Sequence, residues 1–125
     1  MGPDAIAPDG SKIYHLVGDA ERASLVEVRL GAGLVSRPVR HRMVEEIWYV
    51  TRGRGRVWRC APGEAEGETV TVRPGAAIRI PTGWGFQFAA DPQAELRFIC
   101  FTSPPWPGPQ EAVPLEPGGL GAPTA

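Results

Sequence analysis

The sequence predicts an all-β domain, a closed barrel or a sandwich of short antiparallel strands. Three observations point there. The 125 residues include 16 glycines and 14 prolines, a composition suited to frequent turns. Between residues 12 and 102 short runs of alternating apolar and polar residues recur at regular spacing. No long stretch carries the three-to-four-residue apolar spacing of a helix. A chain of this length forms one domain and buries roughly two-thirds of its unfolded surface, enough for a core without covalent staples.

Taken in order, residues 1–10 show no strand pattern and read as a flexible N-terminal arm, and residues 11–102 hold the barrel. A first strand is expected over 12–17. A second runs over 24–30, where Val26, Val28 and Leu30 alternate with Glu27 and Arg29. Gly31 and Gly33 mark a turn. The run 35–43 is strand-like but broken by Pro38, which favours an edge or a bulge. Residues 46–51 are aromatic and branched and end at Gly53 and Gly55. Because 56–60 follows at once, the two runs are expected to form a hairpin. Further strands are expected at 69–73, 77–80, 86–89 and 95–102, giving eight or nine in all. From residue 103 the pattern stops. The last 23 residues hold seven prolines, so 103–125 reads as a Pro-rich arm or tail, extended or partly disordered. Its Trp106, set among Pro104, Pro105 and Pro107, could dock on the barrel end, reach a second subunit, or pack incidentally.

The net charge of −1 gives no footprint for nucleic acid or an anionic membrane. Arg52, Arg54 and Arg56 alternate with glycines but form one short turn in a near-neutral protein, so no nucleic-acid partner is expected. No basic stretch followed by an apolar run opens the chain, and no apolar run nears the ~18 residues of a membrane span. A cytoplasmic location without membrane partners is the resulting expectation. Cys60 and Cys100 are too few for a disulfide framework and read as buried, reduced thiols.

Two motifs remain. With five residues between, Gly33 is followed by Val39, Arg40 and His41; Glu46 follows after four more and Gly53 after a further six. With five residues between, Gly75 is followed by Pro81, Thr82 and Gly83, then Phe86 after two more and Ala90 after another three. This spacing resembles the two motifs of the cupins. The resemblance extends from about Ser24 to Thr102 and implies a cupin double-stranded β-helix, the jelly-roll barrel. It also implies a divalent metal held by two His and one Glu of the first motif and one His of the second. Here Val39 and Phe86 occupy two of those four positions and only His41 and Glu46 survive. Catalytic metal sites usually keep three protein ligands, so no cofactor is expected, and a divalent metal on His41 and Glu46 has weak support. His15 could supply a third ligand but reads more simply as a surface residue.

If Glu46 points inward, strand alternation turns Trp48 and Val50 inward too, with Glu45, Ile47 and Tyr49 outward. Ile47 and Tyr49 would then pack on a second sheet or a partner. Val39, His41, Phe86 and Phe88 join the interior, and Gln87 faces out. Val39, Trp48, Phe86 and Phe88 are therefore candidate ligand-binding residues, or simply the barrel's filling. His41 and Glu46 are the candidate catalytic pair. Burying both costs several kcal/mol unless they are paired, so a structural ion pair is the plain alternative. An apolar pocket raises the pKa of a carboxyl group and an imidazole titrates near neutrality, which suits proton transfer in an isomerase, dehydratase or cyclase. Arg37, Arg40 and Arg42 could hold an anionic substrate at the mouth, or be solvated strand-edge charges. The sequence thus points to a cupin that binds a small, partly apolar molecule and acts on it without metal. A non-catalytic binder and a metal-dependent, dioxygenase-like cupin are the alternatives. The resemblance also implies a homodimer.

Overall fold

The computed structural model of the protein describes residues 2–125; Met1, the first residue of the expected arm, lies outside the described residues. The strands are β1 (Ala5–Ile6), β2 (Lys12–Val17), β3 (Ser24–Leu30), β4 (Val39–His41), β5 (Glu45–Arg52), β6 (Gly55–Cys60), β7 (Glu68–Val72), β8 (Ala77–Ile80), β9 (Gly85–Ala90), β10 (Leu96–Ser103) and β11 (Ala112–Pro114). A 3-10 turn, Pro109–Glu111, precedes β11. They form two antiparallel sheets facing each other, one ordered β1-β2-β3-β10-β5-β8 and the other β11-β4-β9-β6-β7. The strand spacing predicts a barrel or sandwich, and the arrangement is the jelly-roll barrel that the cupin resemblance implies. No helix among the described residues is long and apolar enough to cross a membrane.

Strand parity sets the core. On β5, Glu46, Trp48 and Val50 are buried while Glu45, Ile47 and Tyr49 are exposed. Trp48 stacks on Phe98 with ring centroids 4.2 Å apart and planes 17° apart. Phe86 and Phe88 meet Trp48 edge-on at 5.5 and 5.1 Å. Each such pair adds about 0.5–1.5 kcal/mol beyond the area it buries. Leu30, Val50, Val57, Val72, Ile80 and Leu96 complete the packing. Outside the barrel, Ile47 and Tyr49 are 47% and 53% exposed, so no second sheet covers them.

Four features differ from the sequence expectation. The first is the hairpin at Gly53. The strands on either side of it lie in different sheets: β5 pairs with β10 and β8, β6 with β7 and β9. Gly53 turns the chain from one sheet to the other with φ of +79°, and a Cβ there would lie 2.2 Å from the Glu95 carbonyl oxygen. Alternation within a run reports which face is buried and says nothing about which strand is the neighbour. The second is Pro38, which falls between a lone bridge from Val35 to Ala89 and strand β4. It interrupts the run as expected, yet β4 is no edge, because β11 pairs along its outer side.

The third feature is the arm. Within residues 2–10, β1 pairs with β2 and extends the six-stranded sheet. The Asp4 carboxylate accepts from the His15 backbone N–H at 2.8 Å, and the Asp9 carbonyl accepts from the Arg37 N–H at 2.8 Å. The fourth is the tail, which wraps the outside of the five-stranded sheet. Buried Glu111 accepts from the Met43 and Val44 N–H groups at 2.6 and 2.8 Å. Gln87 does point out of the barrel, but the tail covers it. Its Nε2 donates to the Ser36 and Gly121 carbonyls, both at 2.9 Å, and its Oε1 accepts from the Leu120 N–H at 2.8 Å. The tail thus supplies partners for polar groups that would otherwise face solvent.

Replacing Glu111 by Ala strips two backbone donors, the buried Val44 N–H among them, of a charged acceptor, and the expected loss is about 2–3 kcal/mol. Chemical denaturation measures that loss. Limited proteolysis of Glu111→Ala should also cut within 103–125 at protease levels that spare the parent protein.

Candidate functional site

A cavity of about 420 Å³ opens between one end of the barrel and the two terminal segments. Its floor is barrel interior, including Val39, His41, Glu46, Trp48, Phe98 and Cys100. Its mouth is built by residues 5–9 of the arm and by Pro105, Trp106, Gly108 and Pro109 of the tail. The Trp106 N–H donates to Ser24 Oγ at 3.2 Å, and its ring meets the His41 ring edge-on at 5.1 Å. Trp106 therefore docks on its own barrel end.

His41 and Glu46 lie at the base, 5% and 7% exposed. Glu46 is held from two sides: Oε1 accepts from Trp48 Nε1 at 2.9 Å, and Oε2 accepts from Thr102 Oγ at 3.3 Å. His41 is held mainly by rings, with Phe86 edge-on at 5.1 Å. Its Nδ1 faces Glu46 Oε2 across 3.8 Å, beyond hydrogen-bonding distance, and is buried with no partner. A buried nitrogen left unpaired costs about 1–3 kcal/mol.

Of the four expected ligand-binding side chains, Val39 and Trp48 line the cavity, while Phe86 and Phe88 do not. Both phenylalanines point inward but belong to the aromatic cluster behind Trp48, Phe86 at 1% exposure and Phe88 at none. Phe98 lines the cavity in their place. Parity assigns a side chain to the inner face; it does not say how deep along the barrel that side chain lies. None of the three arginines reaches the cavity. Arg42 Nε donates to the Gln110 carbonyl and Arg37 Nε to the Ala125 carbonyl, while Arg40 lines a separate surface groove near Trp58. His15 sits at the exposed rim.

Three groups of the site escape the sequence reading. Asp9, from the arm, lines the cavity, its Oδ1 accepting from the Ser11 N–H at 2.9 Å and from Ser11 Oγ at 2.6 Å. Burial pushes the Asp9 carboxyl above its ordinary range and the charge of Glu46 adds to the rise, against the Ser11 hydrogen bonds and His41. The only local signal is the Asp-x-Ser spacing of a side chain bonding two residues on, which marks a turn and not a site. Cys100 lies in the wall near Thr102 Oγ, 3.7 Å away. Burial, with Glu46 nearby, holds its thiol well above the usual range, so it stays protonated and is a poor nucleophile. Thr102 matters for its hydrogen bond to Glu46.

The metal site implied by the fold does not fit these residues. Val39 and Phe86, at two of the four ligand positions, pair directly across β4 and β9 and are both buried. Neither carries a lone pair. Among the described residues no group of three or more His, Cys, Asp or Glu side chains is placed to hold a metal ion.

Asp9 binds its proton more tightly in the folded chain than in the unfolded one. As pH rises through the window between the ordinary carboxyl pKa and the raised one, this group's contribution to stability falls. Asp9→Asn keeps an acceptor for Ser11 and removes the charge. Its melting temperature should exceed that of the parent protein above the window, and the difference should vanish below it. Thermal melts from about pH 3.5 to 8 check this, and parallel curves would contradict it.

The cupin domain family matches residues 25–102, more than half of the chain. No curated protein matches it in sequence. Among solved structures, the capsular polysaccharide assembling protein CapF from Staphylococcus aureus aligns with a TM-score of 0.76 and 14% identity, over 85% of this chain and 30% of its own. KdgF from Halomonas sp. aligns at 0.66 and 22%, over 81% and 85% of the two chains. The oxalate decarboxylase of Bacillus subtilis, whose Mn(II) centres were studied, aligns at 0.75 and 17%, over 92% and 30%. The chain thus spans less than a third of the CapF chain, and at these identities the likeness is one of fold. Motif spacing, two-sheet barrel and family match agree: the chain belongs to the cupin family.

Proposed function

We propose that this cupin binds a small, partly apolar molecule in its barrel cavity and acts on it by acid–base chemistry without a tightly held metal, as an isomerase, dehydratase or cyclase. The observation that carries the reading is the unpartnered His41 Nδ1, 3.8 Å from Glu46 Oε2 at the base of a mostly apolar cavity. A pair kept only for stability would gain by closing that gap. The Trp48 and Thr102 hydrogen bonds instead hold the carboxylate back. With Nδ1 turned toward a carboxylate, the imidazole keeps its proton there and leaves the Nε2 lone pair as the base. His41 would take a proton from carbon next to a carbonyl and return it elsewhere on the same molecule, while Glu46 offsets the charge that forms on the ring. Trp48, Phe98 and Trp106 would exclude water and hold the apolar part of the molecule. The protonated Cys100 argues against a covalent thiol route.

Deuterium wash-in tests the reading whatever the net reaction is. Incubated in deuterated buffer with a panel of small carbonyl compounds, the protein should exchange the hydrogen next to the carbonyl of those that bind. His41→Ala and Glu46→Gln should each lower the rate by about 10²–10⁴ while keeping a cooperative melt. Full exchange in both variants would overturn the assignment. Protein purified without a metal-affinity step should carry substoichiometric metal and keep its rate in chelator. Stoichiometric iron, nickel, manganese or zinc would overturn the metal-free part.

A further inference from the structure

The charge of the cavity wall is one-sided. The ionisable side chains lining it are Asp9, His15, His41, Glu46 and Cys100; no lysine or arginine is among them. His15 lies out at the rim and Cys100 is held as a thiol. The two carboxyl groups come from opposite parts of the structure, Asp9 from the arm over the mouth and Glu46 from the floor. Each keeps acceptor capacity: Ser11 occupies only Oδ1 of Asp9, and Thr102 meets Glu46 Oε2 at a long 3.3 Å. His41, itself more than nine-tenths buried and lining the same cavity, has an unpaired ring nitrogen. The rest of the wall includes the rings of Trp48, Phe98 and Trp106.

An anionic ligand would meet two acids in a confined, weakly screened space with no lysine or arginine among the described lining residues to offset them. A neutral ligand would bring no opposite charge to Glu46 and Asp9 beyond the hydrogen bonds they already accept. An organic cation would do neither, and its charge would also be attracted by the aromatic faces. We propose that the ligand of this cavity is a small protonated amine, its ammonium group set between Asp9 and Glu46 and its hydrocarbon part against Trp48, Phe98 and Trp106. This names the substrate class of the acid–base reading and rests on the same cavity, but its charge selectivity comes from Asp9 and Glu46. Asp9 is then a binding residue, and the arm that carries it is part of the site.

The test uses three probes of one shape, benzylammonium, benzyl alcohol and benzoate, titrated by calorimetry into the full chain at neutral pH. Benzylammonium should bind about tenfold or more tighter than the alcohol, and benzoate should not bind. Asp9→Asn and Glu46→Gln should each weaken benzylammonium about tenfold and leave the alcohol unchanged. The proposal is overturned if benzoate or the alcohol binds as tightly as the amine, if both variants keep full ammonium affinity, or if no probe binds. The outcomes separate the two readings. Ammonium preference without any deuterium exchange would sink the acid–base assignment alone, and benzoate preference with His41-dependent exchange would sink the amine assignment alone.

Discussion

The hydrogen bond from Trp48 Nε1 to Glu46 Oε1 joins the part of the molecule that holds it together to the part that can do chemistry. The Trp48 ring is the hub of the aromatic cluster, touching Phe86, Phe88 and Phe98. Its one polar atom must find an acceptor when buried, and it finds one two residues back on the same face of β5. The strand period makes this possible: Glu46 and Trp48 share the inner face, the carboxylate at the cavity end and the indole at the packed end. Once Glu46 is fixed, the position of His41 relative to it decides what the site can do. Loosening the aromatic cluster would therefore disturb the His41–Glu46 spacing before it unfolded the barrel.

Much of this was legible in the sequence because turn glycines and strand parity are local properties. Gly33, Gly53, Gly75 and Gly83 all adopt positive φ, the conformation that ties each to a turn. The strands over 12–17, 24–30 and 77–80 fall where alternation places them. Strand pairing is not local. The Gly53 turn reads like a hairpin because two β runs meet at glycines, and only the closure of two sheets sends them apart. The tail was illegible for a related reason. Its prolines argue against a packed core, yet Glu111 and Gln87 pin it by a few side-chain hydrogen bonds that leave no periodic trace.

The candidate site divides the same way. His41 and Glu46 were legible from motif spacing, and Trp48 from parity. Asp9 was not, because a lone acidic residue ahead of the first strand carries no pattern, and only the arm's fold over the mouth brings it to the cavity. Phe86 and Phe88 show the converse: their inward direction follows from parity, but their depth depends on how the two sheets stack. Depth decides whether an inward aromatic side chain lines a cavity or fills the core.

The paired positions of Val39 and Phe86 explain why the site tips away from metal binding as a unit. They face each other across β4 and β9, so an imidazole at either position would sit against an apolar partner in a buried setting. A single polar group there would be left without a partner, whereas two apolar side chains pack together and gain from burial. That packing removes one wall of donors and leaves the remaining polar groups, His41 and Glu46, facing the arm. The arm answers with another acid, not with a base that would neutralise Glu46. Burial disfavours the Asp9 charge and Glu46 disfavours it further. A fold free to choose would place an apolar or basic residue there. A protonated amine between Asp9 and Glu46, the guest proposed for this cavity, would offset both carboxyl groups, whereas a proton on Asp9 offsets only the repulsion between them.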